Sequence, residues 1–251
     1  MNKKISIILI SFLFASCAEL QPFMDQYALT QPQPLTSTDV SYGLKEALKI
    51  GSKNASNILS IQDGFYKDEL VKILLPPEAQ TITKNIKLIP GGNELVEKVI
   101  LRLNRAAEDA VTEAAPIFVS AITEMTIADA FGILKGENNA ATVYLQNKTY
   151  SKLQDLFTPK VKASLDKKLV ANLSTNESWN LLTQNYNAVA DSFAGKLANL
   201  ETVNTQLDEY VTNKALSALF LKVAEEEKLI RKDPLKRVND ILKRVFGELD
   251  K

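Results

Sequence analysis

Histidine is absent from the 251-residue chain, and cysteine occurs once, at Cys17. Without imidazole there is no histidine general base, no Ser-His-Asp triad and no histidine metal ligand. With the lone thiol so near the N-terminus, the rest of the chain has no thiol nucleophile, no thiolate ligand and no disulfide. Zinc, copper, haem and iron–sulfur centres lose their usual ligands together, and no cofactor is expected. Charge of neither sign dominates, since 30 Lys and Arg face 30 Asp and Glu. Setting aside Lys3 and Lys4 leaves 28 basic against 30 acidic residues. There is thus no basic excess suited to a phosphate backbone, and nucleic acid is not an expected partner. Gly91-Gly92 is the only glycine pair, and neither a preceding strand nor a P-loop lysine accompanies it. No internal repeat and no sustained heptad supports a solenoid or a coiled coil. The chemistry left open belongs to carboxylate, serine, lysine, tyrosine or a hard oxygen-bound cation.

What is present begins with an address. Met1-Asn2-Lys3-Lys4 is a basic start, Ile5 to Phe14 is an apolar stretch, and Ala15-Ser16-Cys17 is a small-residue exit, which is the anatomy of an export signal over residues 1–16. The apolar stretch is about half of what spans a bilayer as a helix. Phe14-Ala15-Ser16-Cys17 resembles the lipobox of bacterial lipoproteins, with Phe14 where leucine is usual. The resemblance implies acylation of Cys17 and a membrane partner reached through an N-terminal lipid anchor. Each buried methylene adds ~0.8 kcal/mol of membrane affinity, and more than one acyl chain makes the anchoring stable. Ala18 rather than aspartate follows the cysteine, which favours the outer membrane, facing the periplasm.

Residues 17–35 are rich in Gln and Pro and lack a helical period, so a tether is expected there. A single α-helical domain is expected over 36–247, with 248–251 as a tail. Thr36-Ser37-Thr38-Asp39 reads as a helix start. Val71 to Leu75 reads as at most one short extended segment, and Pro77 as the first turn of a short helix. Val96, Val99, Ile100, Leu103, Ala107 and Ala110 form one apolar stripe over four turns. Pro116 should restart that segment, with Ile117, Phe118, Ala121, Ile122 and Met125 beyond it. Asn139 to Gln146 suggests a short helix, and Thr158-Pro159 a cap opening the next. Trp179, Leu182 and Tyr186 mark another helix, and Leu216, Leu219, Phe220 and Val223 one more. Leu235, Val238, Leu242 and Val245 carry the last, towards Gly247. The fold class is all-α, an irregular multi-helix bundle of roughly nine helices.

Two short motifs read as solvated helix faces. Ser164-Leu165-Asp166-Lys167 matches the Ser-x-x-Lys form of some acyl-transfer sites but has no companion motif. Glu225-Glu226-Glu227 lies among Lys228 and Arg231 at helical spacing, as ion-paired surfaces do. More informative are Asn104, Arg105 and Glu108, which helical spacing sends to neighbouring sides at the edge of the apolar stripe. Buried arginine and glutamate are costly unless paired. Partners for a network or ligand site are available in Asp129, Arg231 and Arg237.

The blocks Gly43 to Leu48, Asn104 to Glu108, Met125 to Ala130, Gly136 with Ala140-Ala141-Thr142, and Arg231 to Pro234 with Arg237 occur in that order. Together they resemble an uncharacterised bacterial family catalogued as domain of unknown function 4197. The resemblance covers Leu35 to Gly247. It implies an exported bacterial protein and brings no substrate, cofactor or catalytic residue with it.

Three functional readings follow. The first is a non-enzymatic cell-envelope lipoprotein that binds a protein partner or small ligand or organises the surface. The second is a carboxylate-based hydrolase or lyase with Glu108 and Asp129 as acid and base, which requires both to face one cleft. The third is a carrier holding an apolar ligand between helices, which requires a closed apolar pocket of several hundred Å³, on the order of those that enclose small molecules.

Overall fold

Small residues at every fourth position open the helical body. Gly43, Ala47, Gly51 and Ala55 fall on one side of α1 (Ser37–Leu59) and are all buried. A Cβ on Gly43 would stand 2.7 Å from Val245, and one on Gly51 would stand 3.4 Å from Glu226. Backbone therefore approaches side chains directly along this face, and Leu44, Leu48 and Leu59 fill the space beside it. The computed structural model describes residues 34–88, 91–170 and 172–250, so Cys17, the signal and most of the expected tether lie outside the described residues. Ser37 opens a compact unit that takes in every helix below.

Among the described residues, ten α-helices make an all-α bundle and there is no β-strand. After α1 come the irregular segment 60–76, a 3-10 turn at Pro77–Ala79 and α2 (Gln80–Lys84). Then follow α3 (Gly92–Val111), α4 (Ala114–Glu124), α5 (Ala130–Leu134), α6 (Ala140–Asp166), α7 (Thr175–Ala190) and α8 (Phe193–Leu197). The chain ends in α9 (Leu207–Lys232), α10 (Asp240–Phe246) and a 3-10 turn at Gly247–Asp250. α9 packs on α1, α6 and α3, α1 also meets α4, α5 and α10, and α3 meets α6 and α7. Phe220 of α9 sits 5.3 Å from the ring of Phe118 and 6.2 Å from that of Tyr150, tying α4 and α6 to the same core.

The expected stripe of α3 is buried as its spacing requires, and Pro116 stands in the first turn of a restarted helix. The proline at 159 behaves differently. A short helix and a new start at Thr158-Pro159 were expected, but α6 runs unbroken through Pro159 for 27 residues. Leu145, Thr149, Leu153, Phe157, Val161 and Leu165 are buried at strict four-residue spacing across it. Pro159 and Asp155 are both exposed, so the hydrogen bond that proline removes lies on the solvent side of the helix, where its loss costs least. Packing of one continuous face outweighs one lost hydrogen bond. Leu156, expected on the apolar face, points outward.

The C-terminal segment also departs from its apolar spacing. Leu235 and Val238 are exposed, and α10 begins only at Asp240, where the Asn239 side chain accepts a hydrogen bond from the Leu242 amide at 3.1 Å. Leu242, Val245 and Phe246 alone enter the core. Within the expected tail 248–251, Asp250 pairs with Arg237 and joins residues 248–250 to the body.

Candidate functional site

Asn104 is fully buried on α3, so each of its polar atoms needs a partner. Its Oδ1 accepts from the Ile73 amide at 2.8 Å, and its Nδ2 donates to the Ile73 carbonyl at 2.8 Å and the Ile100 carbonyl at 2.7 Å. One side chain thus stands in for a neighbouring strand to the extended piece around Ile73. One turn on, Glu108 Oε1 accepts from the Phe65 and Tyr66 amides at 3.2 and 3.4 Å. Its Oε2 accepts from Arg105 at 2.6 Å, and Arg105 reaches Asp63 at 2.6 Å. Asp63 has a positive φ of 70° and turns the chain out of α1. Hydrogen bonds from Lys67 and then Arg105 hold its carboxyl below the usual range. Burial draws the Arg105 guanidinium down, but Asp63 and Glu108 outweigh that and raise it. The expected triplet is a clasp that fixes segment 60–76 onto α3.

Arg231 and Arg237 belong to a second network, away from the first. Glu227, 1% exposed, accepts from the Ala141 amide at 3.0 Å and from the Thr142 amide and hydroxyl, both at 2.7 Å. A buried carboxylate so placed satisfies orphan donors at the start of α6 and complements its dipole. Arg231 pairs with Glu227 at 2.7 Å and donates to the Ile133 and Leu134 carbonyls at 3.0 and 2.6 Å, closing the end of α5. Arg237 donates to the Ile230 and Arg231 carbonyls, each at 3.0 Å, and pairs with Asp250. Asp129 joins neither set. It is the exposed N-cap of α5, accepting from the Gly132 amide at 2.8 Å. The structure therefore brings together Asn104, Arg105 and Glu108, and separately Arg231 and Arg237, but does not bring all six to one place.

Sequence spacing missed three participants. Asp63 and Glu227 complete the two networks, and Arg102 builds a third. Arg102 donates to the Lys98, Val170 and Leu173 carbonyls and holds the loop before α7. The Ser-x-x-Lys motif is resolved in the same way, because Ser164 Oγ and Lys167 Nζ both bond Asp109 Oδ2 at 2.6 Å. The lysine is spent on the carboxylate rather than on the serine hydroxyl. Of the three glutamates in a row, Glu225 pairs with Lys222, Glu226 accepts from Asn54, and Glu227 turns inward. Among the described residues, no group of three or more acidic side chains is placed to hold a metal ion.

Three of the surface clefts are formed by described residues. One of about 440 Å³ lies between α4 and α6, lined by Met125, Tyr144, Lys148 and the Lys152–Glu124 pair. One of about 420 Å³ is more apolar, with Leu95, Val99, Leu173 and Leu181 around Arg102. The third, about 430 Å³, is polar and lined by Trp179, Asn180 and Asn204. Glu108 and Asp129 line none of the three. No helix among the described residues is long and apolar enough to cross a membrane. A family model described as a protein of unknown function (DUF4197) matches residues 34–247. No match was found among curated proteins or among solved structures.

Proposed function

The chain belongs to the DUF4197 family, whose model it matches over nearly all of its helical body, and from that premise we propose that it is a non-enzymatic binding domain held to the bacterial cell envelope by a lipid on Cys17. The observation that carries the reading is how the buried polar groups are used. Asn104, Glu108, Glu227, Arg231, Arg237 and Arg102 are each bonded to main-chain amides or carbonyls of loops and helix ends. A group whose hydrogen-bonding capacity is filled by backbone cannot turn to a substrate without releasing the segment it holds. Chemistry in the interior is disfavoured, and recognition falls to the surface. The Phe14-Ala15-Ser16-Cys17 sequence supports a lipid anchor, and Ala18 after it supports the outer membrane, with the helical body in the periplasm.

Two measurements test this. Intact mass of the membrane-extracted protein is expected to show a chain beginning at acylated Cys17, and Cys17→Ala to leave the membrane fraction while melting as the wild type does. A free thiol at Cys17 or a retained Met1 removes the anchor. Separately, Glu108→Gln is expected to lower the melting temperature, because Glu108 is a support. If it melts like the wild type while erasing the cellular phenotype of the gene, Glu108 is a site and the non-enzymatic reading fails.

A further inference from the structure

One end of the bundle gathers the start of α1, the end of α9 and α10. Val245 abuts Gly43, the Phe246 ring lies 5.8 Å from the Arg231 guanidinium, and Arg244 reaches Asp39 at 3.3 Å. Asn239 donates to Glu46 at 3.1 Å. α1 and α9 are therefore antiparallel, and residues 34–36 leave from the end where α9 stops. There the segment 232–238 turns outward between α9 and α10. Leu235 is 89% exposed and Val238 68%, and Leu235 is the most exposed large apolar side chain among the described residues.

The charges of this segment are sorted by sign. Asp233, its single acid, is turned onto the Leu235 amide at 2.9 Å. Arg237 folds inward onto carbonyls and Asp250. Lys232 and Lys236 are exposed, and among the described residues neither has a carboxylate in ion-pair reach. Asp240, the next acid along the chain, lies 3.5 Å from Lys243. What faces solvent is two apolar tips with two unpaired ammonium groups beside them.

We propose that this loop is a membrane contact, with Leu235 and Val238 entering the acyl boundary and Lys232 and Lys236 resting on anionic headgroups. A stable protein interface occupies roughly 800 Å² of each partner with matched shape, which two side chains in a short loop do not supply. A bilayer needs no matched shape, and small apolar tips flanked by lysines suit it. The proposal rests on the Cys17 anchor in one respect. The covalent path from Cys17 to Pro34 spans at most about 60 Å, so a lipid there would keep this end near the surface and make a weak second contact persistent.

The test uses the chain from Ala18 onward, which has no lipid and no cysteine and keeps the whole compact unit that begins at Ser37. It is expected to sediment with vesicles of phosphatidylcholine and phosphatidylglycerol. Binding should weaken on the order of thirtyfold on pure phosphatidylcholine, as two lysines near an anionic surface imply, and by more than that in Lys232→Glu/Lys236→Glu on the anionic vesicles, where both charges are reversed. Leu235→Glu/Val238→Glu should also abolish binding at unchanged melting temperature, since both side chains are solvent-facing. A polarity-sensitive dye on Leu235→Cys should shift to the blue on vesicles, whereas one on Phe193→Cys, at the exposed turn of α8, should not. Absence of vesicle binding, equal binding by the glutamate variants, or a shift at 193 instead of 235 would each overturn the proposal. So would crosslinking of residue 235 to an envelope protein without vesicle binding. None of these outcomes depends on acylation, which the mass of the native protein decides alone.

Discussion

Asn104→Asp changes one nitrogen to an oxygen in a side chain with no exposure, so its effect is chemical rather than steric. The Ile73 amide keeps its acceptor. The two donations from Nδ2, to Ile73 and Ile100, are lost, and an oxygen then stands 2.7–2.8 Å from two carbonyl oxygens. The Ile100 carbonyl retains its helical donor, but the Ile73 carbonyl is orphaned, at about 1–3 kcal/mol. Keeping the new carboxylate ionised in that site adds desolvation, for a total of about 3–4 kcal/mol at neutral pH. A domain of this size loses about 2–4 °C per kcal/mol, so the melting temperature should fall by roughly 10 °C. The sign with pH follows from the environment. Burial and two facing carbonyls raise the folded-state pKa of the new carboxyl above its unfolded value of about 3.9. The penalty is therefore smallest below that value, where a protonated carboxyl can donate once, and grows as pH rises through the folded pKa. Asn104→Ala should lose stability without this pH dependence. Thermal melts of both variants and the wild type from pH 3 to 8 measure it. A variant melting within two degrees of wild type at neutral pH, by a tolerance of roughly one rotamer's worth of energy, or a deficit constant across pH, would refute the role given to Asn104.

Three further outcomes are expected. Glu227→Ala should cost about 3–5 kcal/mol by leaving buried Arg231 without its carboxylate and the α6 amides without an acceptor, and hydrogen exchange should rise first at Ala141 and Thr142. Gly43→Ala should cost about 1–3 kcal/mol by overpacking against Val245, less about 1 kcal/mol of helix propensity, and a stabilised variant in chemical denaturation would disprove the close approach. For the wild type, with no histidine to titrate, the melting temperature should stay level from pH 8 to 5. The Asp63, Asp68 and Asp250 carboxyls are held low by Lys67 with Arg105, by Lys222 and by Arg237. Their stabilisation is complete above the unfolded value of about 3.9 and is lost as pH falls below it towards the folded values, and Asp63→Asn should flatten that acid limb in pH-dependent melts.

Local pattern carried the helices, and long-range partners escaped it. Val96 to Ala110 on α3 and Leu216 to Val223 on α9 are buried as their spacing requires. The unbroken α6 was hidden because Pro159 reads as a start until its solvent-facing position is known. The Ser174-Thr175-Asn176-Glu177 capping box at the start of α7 is legible in the sequence as Ser-x-x-Glu. Arg105 and Glu108 pair as helical spacing suggests, but their outer partner Asp63 lies in an aperiodic turn 42 positions away from Arg105. Arg102 bonds carbonyls 68 and 71 positions distant, and no side-chain pattern encodes a carbonyl. Asp129 and Arg231 are equally available by sequence as partners for Arg105 and Glu108, yet one caps its own helix and the other closes a different one.

Glu227 also sets an order of events. Its contact with Thr142 joins positions 85 apart, and a chain grows from its N-terminus, so α6 is made long before the residue that completes its first turn. At about 5–20 residues per second the interval is roughly 4–17 s. Through that interval the small-residue side of α1 also waits, because α9 and α10, its partners, are the last helices synthesised. The contacts that α9 and α10 make with α1, α5 and α6 therefore have their last residues synthesised last. The arrival of α9 covers α1, caps α6 and delivers Arg231 to the end of α5, so a chain interrupted before Leu207 keeps the clasp of Asn104, Arg105 and Glu108 but lacks the Glu227 and Arg231 contacts that tie α5 and α6 to the rest.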